Sequence, residues 1–208
     1  MTSERTTKGQ VARDRDARHL LERLTPDEAA GILRGLLEAH PDLSSEAEEI
    51  ARSLLHQVEY EDVAAEIENE IRALDYEVLN GRAGAHEGGY LEPSEAAWEI
   101  LEETVEPYFE GMKRYLELGL QPEALETCKG LVLGLYRLSE REGGDVLEWA
   151  PDFPAEAAGN ILVTWHRGAD DSKGRDTRRK KVPALPPEFL SMVPKWISMI
   201  ERLAKEGK

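Results

Sequence analysis

The chain has 208 residues, 40% of them hydrophobic and 33% charged, with a formal net charge of -16. A chain of this length and composition can bury a core of its own, so we expect it to be globular. It shows no apolar run of the ~18 residues that a membrane span needs and no apolar segment of a secretory signal. Its single cysteine, Cys128, excludes an internal disulfide and a zinc site built from several cysteines. These features predict a cytoplasmic protein without membrane contact.

The negative charge is concentrated in the body of the chain. Residues 25–166 carry 9 basic and 32 acidic side chains, a net charge of -23, whereas residues 1–24 carry +2 and residues 167–208 carry +5. A solvated helix surface is the commoner reason for such a charge, and attraction of a basic partner is the alternative. An acidic body also repels nucleic acid.

Apolar residues recur at helical spacing along most of the chain, and no strands are predicted. Thr25 with Glu28, and Ser45 with Glu48, have the spacing of a capping box at a helix N-terminus. The pattern predicts an all-α fold of about eight helices, packed as antiparallel hairpins, a bundle or a short right-handed α-solenoid. The predicted helices cover approximately residues 10–24, 26–40, 45–55, 63–74, 93–118, 122–138, 154–167 and 188–205.

The helix over Pro122–Leu138 is expected at the centre of the fold. It begins with a proline at its first position and is apolar most of the way round, which is typical of a buried helix. Gly130 and Gly134 lie one turn apart on the same side, and two glycines inside a helix indicate that another helix passes close by. In the preceding predicted helix, Pro107 predicts a kink or a break.

The sequence predicts one all-α helical domain over residues 10–167, preceded by a disordered segment, residues 1–9. Residues 80–90 contain four glycines and are predicted to form the longest internal loop. Residues 168–187 are basic and contain prolines, as linkers do. The amphipathic C-terminal helix, residues 188–208, either folds back on the body or docks onto another chain, and docking would give a homodimer.

Three predicted helix starts share the pattern Pro-x-Glu-Ala-Ala, beginning at Pro26, Pro93 and Pro154. The pattern is either a true repeat or the generic signature of a helix N-terminus. The segments TPDEAAGILRGLLEAHPDL and PEALETCKGLVLGLYRL, with the helices beside them, resemble HEAT-like and tetratricopeptide-like helical repeats over residues 20–167. The chain is also similar to helical regions that accompany SWIM-type zinc modules in bacterial proteins, but the Cys-x-Cys and Cys-x-His zinc ligands are absent. The resemblance implies a protein-interaction scaffold.

No catalytic, metal-binding or cofactor-binding residues are predicted. Cys128 lies mid-helix among leucines, where burial makes a thiol inert. The five histidines form no His-Glu-x-x-His or Glu-x-x-His pattern. Only His86, in the glycine-rich loop, is placed where a site could form, and a solvated loop is the alternative expected there. Carboxylate pairs one turn apart are expected to face solvent, because only burial would raise their pKa enough for acid–base chemistry. These pairs are Glu66 with Glu70, Glu99 with Glu103, and Glu102 with Glu106.

The sequence predicts a non-catalytic scaffold or adaptor that binds a protein partner. One candidate is a basic protein. One alternative is a metal-dependent or acid–base hydrolase with a carboxylate-lined groove. The other is a nucleic-acid-associated protein that uses the basic segment 173–181, which lacks the interleaved aromatic residues that stack on bases. The residues predicted to bind a partner are Trp149, Lys173, Arg175, Arg178, Arg179, Lys180, Lys181 and Trp196.

Overall fold

The computed structural model describes residues 23–55, 58–86, 89–141, 143–171 and 184–206. These residues form nine α-helices, three short 3-10 helices and one two-stranded hairpin, which confirms the predicted all-α fold. The chain divides into two compact units, residues 1–54 and 55–208. None of the described helices combines the length and the apolar character that a membrane crossing needs. The elements are α1 (Pro26–Ala39), α2 (Ser44–Leu55), α3 (Tyr60–Arg72), α4 (Tyr76–Arg82), β1 (Gly84–His86), β2 (Gly89–Leu91), α5 (Pro93–Glu117), α6 (Gln121–Glu140), α7 (Phe153–Asp171), α8 (Pro187–Leu190) and α9 (Ile197–Glu206).

In the first unit, α1 begins with the predicted capping box. The Thr25 hydroxyl accepts a hydrogen bond from the backbone N–H of Glu28 at 3.4 Å, and the Glu28 carboxylate accepts one from the backbone N–H of Thr25 at 2.9 Å. The second predicted cap is misplaced by one residue. A 3-10 turn at Pro41–Leu43 already gives Ser44 helical backbone angles, so α2 begins at Ser44 and Ser45 lies inside it.

The first unit also carries an exposed apolar face. No residue of α1 is buried, and Ile32, Leu33 and Leu36 are each about half exposed. Ile50 of α2 is 53% exposed. An amphipathic helix gains most of its stability by burying such a face, which the described residues of this unit do not do.

In the second unit, α6 is the central helix, as the sequence predicts. Thirteen of its 20 residues are buried, and α3, α5 and α7 all pack against it. Gly134 brings α3 close, because a Cβ atom there would lie 2.9 Å from the carbonyl oxygen of Ala64 and 3.1 Å from Cγ2 of Ile67. Gly130, one turn earlier, also faces α3, so the predicted close helix approach is confirmed.

One carboxylate of α3 is buried. Glu66 and Glu70 are exposed, whereas Glu68 between them is only 7% exposed. Residues two apart in a helix point in nearly opposite directions, which places Glu68 against α6. There its carboxylate pairs with Arg72 at 3.0 Å and with Arg137 at 3.2 Å.

The glycine-rich segment 80–90 is not a continuous loop. Its first residues complete α4, and β1 and β2 then pair antiparallel, with Ala85 opposite Tyr90. Gly84 and Gly89 have φ angles of 111° and 134°, which glycine adopts at far lower cost than other residues. The predictions of a loop over these residues and of no strands are therefore wrong.

Pro107 does not break the helix in which it lies. The helix α5 runs without interruption from Pro93 to Glu117, although proline removes one backbone hydrogen bond. Val105 and Phe109, on either side of the proline, are both buried in the core. Their burial offsets the lost hydrogen bond, so the predicted break is absent.

The C-terminal segment folds back on the second unit but is not the single helix that was predicted. It consists of α8, a 3-10 turn at Pro194–Trp196 and α9, because Pro194 cannot continue the helix begun at α8. Phe189, Val193 and Ile200 are buried, and α9 packs against α7. Most of the predicted linker, residues 172–183, lies outside the described residues, and so do residues 1–22 with the predicted disordered N-terminus and first helix.

Candidate functional site

A concave surface lies between α5 and the first half of α7. It is a groove of about 450 Å³, named here the acidic groove. Apolar and aromatic side chains form its floor, and carboxylates stand along its edges. The lining residues are Trp98, Glu102, Glu103, Val105, Glu106, Phe109, Phe153, Glu156, Ala157, Asn160 and Ile161.

Helical spacing explains how two short stretches of sequence build this groove. On α5, Trp98, Glu102, Val105 and Phe109 follow one another at intervals of four, three and four residues, which places them in one stripe. On α7, lining residues recur from Phe153 at the same kind of interval. Both stripes face the space between the two helices.

Trp98 is held rigidly at one end of the groove. Its indole Nε1 donates a hydrogen bond to the Glu102 carboxylate at 3.1 Å, one turn along the helix. Its ring packs edge-on against Phe153, with the ring centroids 5.2 Å apart. The indole is half-buried, so one of its surfaces stays available to a ligand.

A second, shallower depression of about 350 Å³ adjoins the acidic groove and shares Trp98 with it. Trp149 borders it and is 46% exposed, an unusually large exposed fraction for a tryptophan. Asp152 and Glu95 supply carboxylates beside this indole. The two depressions together form one surface with Trp98 in the middle.

Negative charge dominates the two stretches that line this surface. Residues 93–106 and 147–161 contain eight acidic side chains and no lysine or arginine. Arg82 reaches Glu99 and Glu103 from the end of α4, at 3.3 Å and 2.7 Å. Lys113 contacts Glu106 at 3.8 Å. Among the described residues, Glu102 and Glu156 have no ion-pair partner.

The carboxylates of the groove differ in acidity. Burial, together with a hydrogen bond to Glu110, raises the pKa of Glu106 above the usual value of a glutamate. The hydrogen bond from Arg82 lowers the pKa of Glu103. Two carboxyls whose environments shift their pKa values in opposite directions therefore stand on the same groove, a pattern found at acid–base sites. Glu102 and Glu106 are exposed, as predicted for these carboxylate pairs, and they also line the groove.

The residues considered for other chemistry are not gathered at a site. Cys128 is fully buried in α6, and burial raises the pKa of its thiol. His166 is 7% exposed in α7 and packs against the ring of Trp165. His86 lies in β1 of the hairpin. In the described ranges, no three histidine, cysteine, aspartate or glutamate side chains are grouped so that they could hold a metal ion.

The two tryptophans predicted to bind a partner have different surroundings. Trp149 is exposed beside the acidic groove, whereas Trp196 is half-buried and packs edge-on against Tyr136 at 5.2 Å. The six predicted basic residues, from Lys173 to Lys181, lie outside the described residues. Sequence reasoning missed Trp98, Phe109 and Glu156 as site residues. The available signal was the recurrence of glutamates beside aromatics in residues 93–106 and 147–161, two stretches that contain no lysine or arginine.

Comparisons of the chain with protein-family models, with curated proteins and with solved structures gave no match. The resemblance to HEAT-like, tetratricopeptide-like and SWIM-associated helical regions therefore stays a prediction.

Proposed function

We propose that the protein is a helical scaffold or adaptor, of the class to which helical-repeat domains belong, and that the acidic groove is its binding site for a protein partner. The observation that supports this most directly is the continuous surface formed by the groove, Trp98 and the exposed Trp149. Tryptophans in such positions supply much of the binding energy at protein interfaces. Carboxylates at the edge and an apolar floor match the usual arrangement of a polar rim around an apolar centre.

The proposed function is testable by photo-cross-linking in the native host. Asn160, at the edge of the groove, is replaced by photoreactive p-benzoylphenylalanine, and Glu77, an exposed residue of α4 outside the groove, is replaced in a matched control. We expect the Asn160 variant to form an adduct with a protein that the Glu77 variant does not capture, and we expect Trp149→Ala to remove it. Absence of a groove-specific protein adduct would refute the function.

Acid–base hydrolysis is the second candidate function, favoured by the raised pKa of Glu106 on a groove that also holds Glu102 and Glu156. Turnover of ester, glycoside or phosphate substrates by the wild-type protein, lost in Glu106→Gln, would support it. No turnover across the three classes would remove it.

Three further predictions accompany the proposal. The cytoplasm is the proposed location, on the basis of the single cysteine. Homodimerisation through the C-terminal helix stays a prediction, although Phe189, Val193 and Ile200 are buried within the same chain. Nucleic acid is the third candidate partner and depends on the basic residues 173–181, since the carboxylates of the acidic groove repel phosphates.

A further inference from the structure

We infer that the acidic groove binds a segment of its protein partner in which lysine or arginine residues flank a bulky apolar side chain. The inference rests on the proposed function and names the chemistry of the partner. The apolar side chain would contact Phe109, Phe153 and Ile161 on the floor. The flanking cations would meet Glu102 and Glu156 on one side, and Trp149 with Asp152 on the other.

The chain itself shows how this protein accommodates an ammonium group. The Nζ atom of Lys129 lies 4.0 Å from the ring centroid of Tyr60 and 2.7 Å from the Glu126 carboxylate. Lys113 lies 4.1 Å from the ring centroid of Phe109 and pairs with Glu110. In both places a cation sits between an aromatic ring and a glutamate, an arrangement in which the ring quadrupole and the carboxylate both attract it.

An aromatic ring and a carboxylate occur together once more in the acidic groove and once in the adjoining depression, at two pairs that have no cation partner among the described residues. Trp98 and Glu102 are joined by a hydrogen bond at 3.1 Å, so ring and carboxylate are already oriented together. Trp149 and Asp152 both line the adjoining depression. Neither Glu102 nor Asp152 forms an ion pair within the described part of the chain. Two cationic side chains of a partner would complete both arrangements.

The apolar floor of the groove favours an apolar side chain of the partner, placed between its two cationic residues. Phe109, Phe153 and Ile161 line the bottom of the depression, so its floor is apolar, although each side chain is at most 9% exposed. A volume of about 450 Å³ accepts one large side chain of the partner. Asn160 at the edge offers an amide that can both donate to and accept from the partner's backbone.

The shared tryptophan favours a polymer segment over a small cation. The two depressions meet at Trp98, so a single connected chain can fill both at once. Linking two weak contacts raises their combined affinity without any new contact, because the second binding event becomes intramolecular. A nucleic acid strand is excluded from this surface by like-charge repulsion.

The test uses a display library of random peptides of about 12 residues, selected on the full-length protein, a length that suits groove recognition. We expect the enriched peptides to carry at least two lysine or arginine residues around Phe, Trp, Leu or Met. Calorimetry then compares wild type with the groove variant Glu102→Gln/Glu106→Gln/Glu156→Gln. The matched control, Glu77→Gln/Glu117→Gln/Glu201→Gln, makes the same change in net charge at exposed positions outside the groove.

The groove variant should weaken binding of an enriched peptide by about tenfold or more, and the control by less than about twofold, because close charge pairs contribute more than distant ones. Equal losses in the two variants, or enriched peptides without cationic residues, would overturn the inference. If the Asn160 adduct forms but the adduct peptide is neutral or acidic, the inference fails while the proposed function stands. If the photoreactive residue instead links to residues 172–183 of the same chain, a partner is not the occupant and both fail.

Discussion

Gly130 of α6 and Val63 of α3 are packed so closely that a Cβ atom at position 130 would lie 2.5 Å from the Cβ atom of Val63. The same atom would lie 2.8 Å from the carbonyl oxygen of Tyr60, which belongs to the backbone and cannot rotate away. The pairing of α3 with α6 therefore depends on the missing side chain. Glycine destabilises a helix interior by about 1 kcal/mol relative to alanine. The close packing that Gly130 permits must therefore contribute more than this cost.

Replacing Gly130 with alanine should lower the free energy of unfolding by about 1–3 kcal/mol, because overpacking outweighs the gain in helix propensity. Gly111→Ala is the matched control, since nothing lies within 4 Å of the position that an alanine Cβ atom would take there in α5. That variant should gain up to about 1 kcal/mol. Urea denaturation followed by circular dichroism measures both values, and a stabilised Gly130→Ala protein would contradict the close packing.

Removal of Glu68 should destabilise the second unit, because Arg72 and Arg137 would lose the carboxylate that they share. We expect Glu68→Ala to lose about 1–3 kcal/mol of unfolding free energy. Glu61 also pairs with Arg137, at 2.8 Å, but its side chain is 47% exposed, so Glu61→Ala should lose less than about 1 kcal/mol. A double-mutant cycle with Arg137→Ala gives the coupling energy of each pair, and equal couplings would show that burial of Glu68 is unimportant.

The two tryptophans predicted to bind a partner should separate into a structural and a binding residue. Trp196→Ala removes the contact with Tyr136 and should cost about 2 kcal/mol of unfolding free energy. Trp149→Ala removes an exposed side chain and should change stability by less than about 0.5 kcal/mol. Thermal denaturation compares them, and a large stability loss for Trp149→Ala would argue against its role as a free contact surface.

Stability should fall in mildly acidic solution, in part through His166. Burial lowers the pKa of His166 below the ordinary value of about 6.5, so the unfolded chain binds a proton more readily than the folded one. The contribution is present above pH 6.5 and is lost as the pH falls through the folded-state pKa. His166→Gln lacks this dependence, so the stability difference between wild type and variant should shrink between about pH 7.5 and pH 5.5. A stability difference that stays constant over this pH range would show that His166 does not contribute to the pH dependence.

The sequence predicted the helices better than it predicted their ends. Apolar residues on several faces identified α6 as the central helix. Gly130 and Gly134 indicated that another helix packs closely against it. The details that failed depend on tertiary contacts. Pro107 is tolerated because core residues on both sides of it hold α5 in place. Gly84 and Gly89 belong to a hairpin because the two short strands that contain them pair with each other.

The candidate site was harder to predict from the sequence than the fold, because it forms only where two helices pack side by side. Trp98 and Phe109 look like ordinary core residues in a helical pattern, and only the position of α7 shows that a groove opens between them. Glu102 and Glu106 look like one more pair of surface carboxylates in an acidic chain. Trp149, which is predicted from the sequence to bind a partner, is 46% exposed beside the groove.

The sharing of Trp98 by both depressions also gives the molecule an optical reporter. Of its four tryptophans, Trp98 and Trp149 border the candidate binding surface, whereas Trp165 lies in the core and Trp196 packs on Tyr136. An occupant would exclude water from two of the four indoles, so their fluorescence emission would shift on titration without any attached dye.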